Sequence, residues 1–535
     1  MIDPSHPAAD ATARSALETL PETLAAIDIG TNSIHMVVAR VIGDGRFEVI
    51  TRHKEVVRLG EGGDVQLKTL SDAAMDRGIA ALRRCRAILD RYGSPVAALA
   101  TSAVREAENR AEFIRRAAAE AGIDVEVISG HEEARLIYLG VLQALPVYET
   151  PLILCDIGGG STEVLIGNRG EVLASRSFKL GAIRLSRRIF PDGNTSPRSM
   201  GDARRLVQMT LAPFGREVAH LPKEVAIGSS GTIENLAAMI VARRGDDLQS
   251  LNGVSFTRVE LAALMSDLEA AGSTSARSEL RGIDKSRSDI IMGGAVVLEQ
   301  VMAVFGIDEM TVSEDALREG ALFDLAERFR ATSTDHLSDL RRRSIDHLMQ
   351  VCDDDPDHSW QVARLSLQLF DGLAELLELT HFDREILEAA ALLANVGLFV
   401  AHSRHHQHSY YVIRNSEHLA GFTDREIELI AQVARYHRRS APTTRHAPFA
   451  ALDAADRTRV RALAAILRIA IGLDRSHAGL VDSVDGSVGD TLAIIGHAKD
   501  GADIELEVFA ASERTGLLAE VSGRDVVVSA GAPPS

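Results

Sequence analysis

ILCDIGGGSTEVLI (153–166) and AAIDIGTNSIHMVV (25–38) carry one plan written twice: an apolar run, Asp-Ile-Gly, small residues, a serine, and a second apolar run. The run after the glycines decides the fold. A P-loop or a dinucleotide fingerprint needs a helix directly after its glycines, because the helix N-terminus supplies the anion site. Here the continuations SIHMVV and STEVLI are rich in β-branched residues, so each stretch reads as strand, glycine turn, strand. Such a hairpin still holds phosphate: glycine lets the backbone approach, successive amides form a nest, and Ser or Thr hydroxyls add donors. The strand-end carboxylates Asp28 and Asp156 would repel a bare phosphate, and they make sense if a cation such as Mg²⁺ lies between. One copy alone would pass for a tight β-turn, since Asp and Gly favour turns. Two matched copies predict two hairpins gripping an anion from both sides of a cleft.

The surroundings repeat as well. Around the first motif the pattern gives three strands, a helix from Ser71 to about Arg91, strand VAALAT, a helix from about Ser102 to Ala121, strand VEVIS and a helix from about His131 to Leu142. The second half restarts the scheme with LILCDIG, TEVLIG and EVLASRSF, the helix through RRLVQMTLAPFGREV, strand EVAIG and another helix. Two α/β units of like order indicate a duplication. After the helix ending near Arg330, ATSTDH reads as a linker, and the periodicity stays helical to about Ser476. The last fifty residues return to β runs, TLAIIGHA, ADIELEVFA and RDVVVSA. The expected organisation is a disordered tail over 1–22, lobe I over 23–145, lobe II over 146–330, a helical domain over 331–485 and a small α/β domain over 486–535.

A chain of 535 residues exceeds what one core serves. Cys85, Cys155 and Cys352 have no CxxC spacing, which argues against disulfides or zinc and for a reducing compartment. The N-terminal stretch lacks the basic head and apolar core of a signal peptide, and no apolar run reaches the ~18 residues of a membrane span. A cytoplasmic location is the expectation. Net charge −18 disfavours nucleic acid as a partner.

Strand-to-helix junctions supply further candidates. AIGSSGTIENL (226–236) enters a helix through Gly228, Ser229, Ser230, Gly231 and Thr232, an anion-binding arrangement unless it is an ordinary N-cap. Arg105, in ATSAVREA, falls in a first helical turn, where the dipole disfavours a cation unless an anion lies nearby. In ISGHEEARLIYLG, Glu132 and Glu133 open a helix and point about 100° apart, so one can face the cleft while the other faces water. A carboxylate beside phosphate suits a general base for water.

Together these motifs, with SEDALREG and RYHRR in the same order, resemble the exopolyphosphatase and guanosine pentaphosphate phosphatase (Ppx/GppA) family from about Leu24 to Ser476. The resemblance implies an α/β fold of two actin-like (ribonuclease H-like) lobes, then an all-helical domain and a small C-terminal α/β appendage. It implies Glu133 as general base, with Asp156 and Glu163 as catalytic and metal-handling acids. Asp28, Gly30, Asn32 and Ser33 fall in the first phosphate hairpin, Gly158, Gly159, Gly160 and Ser161 in the second, and Arg105 at a phosphate contact. It further implies Mg²⁺, with K⁺ as an activator, a homodimer, and in-line attack of water on a terminal phosphoryl group of inorganic polyphosphate, with guanosine pentaphosphate as the close alternative. A sugar kinase on the same fold would need an adenine pocket and a substrate alcohol; a polyphosphate- or nucleotide-sensing scaffold would need no intact acids.

The helical region resembles the His-Asp metal-dependent phosphohydrolases. His358 fits their early histidine, but Ala394 and Asn395 stand where the His-Asp pair belongs and Ile471 where the late aspartate belongs, so metal chemistry is not expected there. Seven histidines between His402 and His446 accompany two acid-free stretches, 401–415 and 434–447. Arg404, His408, Arg435, His437 and Arg438 are therefore candidate contacts for a polyphosphate chain, set against a plain solvated basic face.

Overall fold

The structure is a computed structural model describing residues 21–42, 46–61, 68–246, 248, 250–330, 339–416, 419 and 421–531. The chain divides into two compact units, Met1–Thr332 and Ser333–Ser535. The tail expected over 1–22 lies, through residue 20, outside the described residues, as does the linker 331–336.

In the first unit the hairpin stretches form strand, turn, strand as their sequence predicts. Lobe I holds β1 (Thr23–Ile29), β2 (Ser33–Ile42), β3 (Arg46–Val56), β4 (Val96–Ala100) and β5 (Val125–Val127), in the order β3-β2-β1-β4-β5. Lobe II holds β6 (Leu152–Ile157), β7 (Thr162–Asn168), β8 (Glu171–Phe178), β9 (Val225–Ser229), β10 (Ser255–Thr257) and β11 (Glu309–Val312), in the order β8-β7-β6-β9-β11-β10. The orders coincide apart from the extra edge strand β10, and in both the first two pairings are antiparallel and the next parallel. The duplication read from sequence is a duplication of topology.

Strand parity places the acids. Along β1, Ala25, Ile27 and Ile29 enter the outer core of lobe I, while Leu24 and Ala26 face a core shared by both lobes. Along β6, Ile153, Cys155 and Ile157 face outward, while Leu152 and Leu154 enter that same shared core. A period of two then forces Asp28 and Asp156 onto the shared side, each ending an inward-facing column. Helices Gly130–Ala144 and Leu317–Arg330 also feed this core, through Leu136, Ile137, Leu317 and Ala321. Their backbones touch: a Cβ on Gly140 would strike the Ala316 carbonyl, and one on Gly320 the Leu136 carbonyl.

The expected helix over Ser102–Ala121 is instead broken. A five-residue turn, Ser102–Glu106, stops where Ala107 turns extended (ψ 126°), and the chain restarts as Arg110–Arg116. The cause is Asn109, whose amide both donates to Leu70 O (2.8 Å) and accepts from Leu70 N (3.0 Å). Helix Ala182–Ile189 was not anticipated at all.

The second unit has one core. Helices between Asp339 and Gly472 share it with β12 (Val481–Val488), β13 (Leu492–Ala498) and β14 (Val526–Ala530). The boundary expected at 485/486 falls inside β12, so the C-terminal segment is part of this unit and not a separate domain. The expected β run ADIELEVFA is mostly the helix Glu505–Ser512. Its buried positions Ile504, Glu507, Ala510 and Ala511 recur at helical spacing, which alternation of apolar and acidic residues had hidden. No helix among the described residues is long and apolar enough to cross a membrane.

Candidate active site

Between the lobes lies a cavity of about 390 Å³, and both hairpin turns open onto it. The turns are closed alike: Gly30 N donates to Ser33 O (3.1 Å), and Gly158 N to Ser161 O (3.0 Å). They also face each other closely, since a Cβ on Gly159 would lie 3.2 Å from Thr31 Cβ and 3.5 Å from Asn32 N. Of the anticipated residues, Asp28, Gly30, Asn32, Ser33, Glu133, Asp156, Gly158, Gly159, Gly160, Ser161, Ser230, Gly231 and Thr232 line this one cavity.

Four others stand behind the wall and act through it. Ser229 Oγ donates to Asp156 Oδ2 at 2.6 Å and makes no cap bond to its own helix, so that helix N-terminus is left without a side-chain cap. Gly228 packs under Met310 and Ile233. Arg105 does not reach the wall as expected of a phosphate contact; its Nη1 donates to Glu133 Oε2 (2.8 Å) and to Ile128 O (3.0 Å). Glu163 is buried, with Oε1 accepting from Ser177 Oγ at 2.7 Å and Oε2 without a hydrogen-bond partner among the described residues.

The two glutamates of GHEEAR divide differently from expectation. Glu133 faces the cavity, but Glu132 does not face water: it is buried and bidentate with Arg135 (2.8 and 2.7 Å), which also binds Asp324 (2.6 Å). An arginine one turn away made burial possible for Glu132.

Enclosure dominates the electrostatics. Burial, reinforced by the charges of Glu133 and Asp156 and opposed by Arg318, pushes Asp28 up to about 7. Burial with the Glu133 and Glu234 charges raises Asp156 to about 7 against the Ser229 hydrogen bond. Burial and the neighbouring Glu133 hold Glu163 well above the usual carboxylate range. Among the described residues no group of three or more His, Cys, Asp or Glu side chains is disposed to hold a metal by itself.

The wall also carries Arg52, Lys54, Arg287 and Arg318, none of which the sequence singled out, together with Glu234, Glu314 and Asp315. Arg318 Nη1 hydrogen-bonds His35 Nδ1, and His35 Nε2 meets Ser33 Oγ at 2.8 Å. Burial and the Arg318, Lys54 and Arg287 charges push His35 down to about 2, so it is neutral. His35 pairs with Asp28 across β1–β2 as Glu163 pairs with Asp156 across β6–β7; the duplicated position bears a base in one lobe and an acid in the other. SEDALREG contains Arg318, and that motif was the only available signal for these cations.

A model of the Ppx/GppA phosphatase family matches residues 37–329, and one of Ppx/GppA phosphatase domain III matches residues 340–499. The chain belongs to the Ppx/GppA phosphatase family. A guanosine-5'-triphosphate,3'-diphosphate pyrophosphatase of Pseudoalteromonas translucida is 30% identical over 416 residues, 77% of this chain and 80% of that protein. The crystal structure of an exopolyphosphatase from Cytophaga hutchinsonii is 31% identical, covers 57% of this chain and 98% of its own, and superposes with TM-score 0.54. The Aquifex aeolicus family member is 26% identical over 58% of this chain and 99% of its own, with TM-score 0.50. Membership makes the fold that of two actin-like lobes followed by a helical region, and the chain a phosphatase-family hydrolase.

The second unit corrects one reading. His437 is buried, stacked on His405 (5.1 Å between centroids) and pushed down to about 3 by burial, so it is a neutral core residue and not a phosphate contact. Arg404 and Arg438 are exposed, His408 is half-buried, and Arg435 is half-buried over the Tyr410 ring. His358 is buried against Asp474 (2.6 Å), a structural pair beside the substituted Ile471 position.

Proposed function

We propose that this chain is an exopolyphosphatase, releasing orthophosphate from the end of inorganic polyphosphate by attack of a water activated by Glu133. The observation that carries the reading is the placement of Glu133: a carboxylate oriented by Arg105, on the wall of a cavity into which two facing glycine turns open. The turn amides, the Ser33 and Ser161 hydroxyls and the uncapped helix at Ser230 supply donors for a terminal phosphoryl group. Glu133 takes the proton of the attacking water while the shortened polyphosphate leaves.

The residues fit a divalent cation. The charges of Glu133 and Asp156 raise the proton affinity of Asp28, and that of Glu133 raises Asp156, around a single cavity, and Asp28 and Asp156 would hold Mg²⁺ together with water and substrate oxygens. Bound there, the ion would offset charge on the phosphoryl oxygens. Of the two ligands anticipated, Asp156 is on the wall and Glu163 lies behind it, paired across the ladder.

Guanosine pentaphosphate is the second reading, favoured by the name of the Pseudoalteromonas relative. The exposed Arg404 and Arg438, within the acid-free stretches 401–415 and 434–447, favour a long polyanion instead. The two are separated by orthophosphate release with Mg²⁺ from long-chain polyphosphate and from guanosine pentaphosphate side by side. A kcat/KM at least tenfold higher for polyphosphate is expected; the reverse order assigns the chain to the nucleotide.

A further inference from the structure

The turn Gly158–Ser161 meets the N-terminus of helix Ala182–Ile189 in an unusual sense. Ala182 N donates to Gly158 O (2.9 Å), Ile183 N (2.9 Å) and Arg184 N (3.2 Å) donate to Gly159 O, and Gly181 N donates to Gly160 O (3.2 Å). This helix therefore spends its free amides on three successive turn carbonyls and not on a ligand. In a planar trans peptide the carbonyl and the following N–H point in opposite directions. Pinning the three carbonyls to the helix turns the N–H groups of Gly159, Gly160 and Ser161 the other way, toward the cavity. None of the three donates to an acceptor within the protein among the described residues.

One side chain completes the clamp. Arg184 Nε donates to Gly160 O at 2.8 Å, and its Nη2 reaches Glu106 Oε1 at 2.7 Å on the Ser102–Glu106 turn of the opposite lobe. Glu106 is held in turn by Lys179 (2.8 Å) and by Ser102 Oγ (3.2 Å). The Arg184 side chain is buried, so the strut works in a low dielectric where a charge-assisted bond to a carbonyl is firm.

We propose that Arg184, braced against Glu106, is a positioning residue: it fixes the Gly160–Ser161 peptide so that the Ser161 N–H faces the transferring phosphoryl group when the lobes are in register. The inference rests on the phosphatase reading of the cleft. Arg184 touches no substrate and acts only through the turn. Lobe I treats its own turn in parallel, with Gly60 N donating to Thr31 O (3.1 Å) and Arg58 N to Asn32 O (2.7 Å), but there, among the described residues, the clamping donors are backbone amides.

The test compares Arg184→Ala, Arg184→Lys and Glu106→Gln with the parent by steady-state phosphate release, thermal melting and competitive inhibition by inorganic phosphate. A misdirected donor in an anion hole is expected to lower kcat about 10- to 100-fold with KM within about threefold. Glu106→Gln should lose about 3- to 10-fold, and Arg184→Lys, which keeps the charge, should lie between parent and Arg184→Ala. Weaker inhibition by phosphate should accompany each loss. If melting falls while kcat per folded molecule and phosphate inhibition stay at parental values, Arg184 is merely structural and the proposal is overturned. A parent that binds phosphate but hydrolyses neither substrate refutes the phosphatase reading, and Arg184 is then judged on phosphate affinity alone. A parent that does neither refutes both.

Discussion

Substituting Glu133 by glutamine removes one negative charge and changes almost nothing else. Glutamine has the same length and retains an acceptor for Arg105 Nη1, which sits 2.8 Å from Glu133 Oε2 and is also tied to Ile128 O at 3.0 Å. The pocket should therefore keep its shape, while the group that accepts the water's proton is gone. Loss of a positioned general base lowers rate by about 10²- to 10⁴-fold, or about 2.7–5.4 kcal/mol in barrier. The adjacent Glu132→Gln is the informative contrast. Glu132 is buried and forks onto Arg135, so its loss unpairs part of a buried network; Asp324 still holds Arg135, which places the cost near the lower end for such pairs, about 3 kcal/mol. The assay is single-turnover phosphate release from end-labelled polyphosphate with saturating Mg²⁺, together with chemical denaturation of each variant. Glu133→Gln should be slow and stable; Glu132→Gln should be unstable, with parental turnover in its folded fraction. Turnover by Glu133→Gln within threefold of the parent would refute the assignment of the base, whatever the stability.

Three further outcomes follow from the same geometry. Gly159→Ala would bring a Cβ to 2.9 Å from Ile183 Cδ1 and 3.2 Å from Thr31 Cβ, wedging the turns apart, so activity should fall by at least about tenfold; Gly201→Ala, whose nearest neighbour is the mobile end of Arg205 at 3.4 Å, should instead stabilise by about 0.5–1 kcal/mol. Asp28 and Asp156 are raised from 3.8 to about 7, so without divalent cation their contribution to stability is full below about pH 4 and is lost as pH rises through about 7. Mg²⁺ needs the deprotonated forms, so its stabilisation, read as a melting shift, should be small at about pH 5.5 and large at about pH 8; equal shifts would show that these aspartates do not bind it. Arg404→Ala and Arg438→Ala should raise KM for long polyphosphate several-fold, more at low salt, and leave guanosine pentaphosphate hydrolysis unchanged, whereas His437→Ala should cost stability because its ring is buried against His405; an unchanged KM for polyphosphate would reduce the acid-poor stretches to a solvated surface.

How the sequence was legible depended on the range of the interaction. The hairpins could be read because turn glycines and β-branched flanks act over a few residues, and their repetition made an accidental turn untenable. Strand parity then carried Asp28 and Asp156 to the same side of their sheets. The break at Ala107–Asn109 was invisible because Asn109 bonds to Leu70, 39 positions away. The burial of Glu132 was likewise set by Asp324 on a distant helix, acting through Arg135.

By itself the sequence determined two α/β lobes of one ancestry, the strand-turn-strand form of the glycine hairpins, the helical character that follows them, and which carboxylates stand at the strand ends, since all of these rest on local periodicity and turn chemistry. Only the tertiary structure decided that Glu133 faces the cavity while Glu132 is locked to Arg135, that Arg105 serves Glu133, that Arg318 meets a neutral His35 on the cavity wall, and that the helix at Ala182 clamps the turn carbonyls. Each of those depends on groups brought together by packing between elements, within a lobe or across the lobes, where burial, hydrogen bonds and charge act over space regardless of separation along the chain.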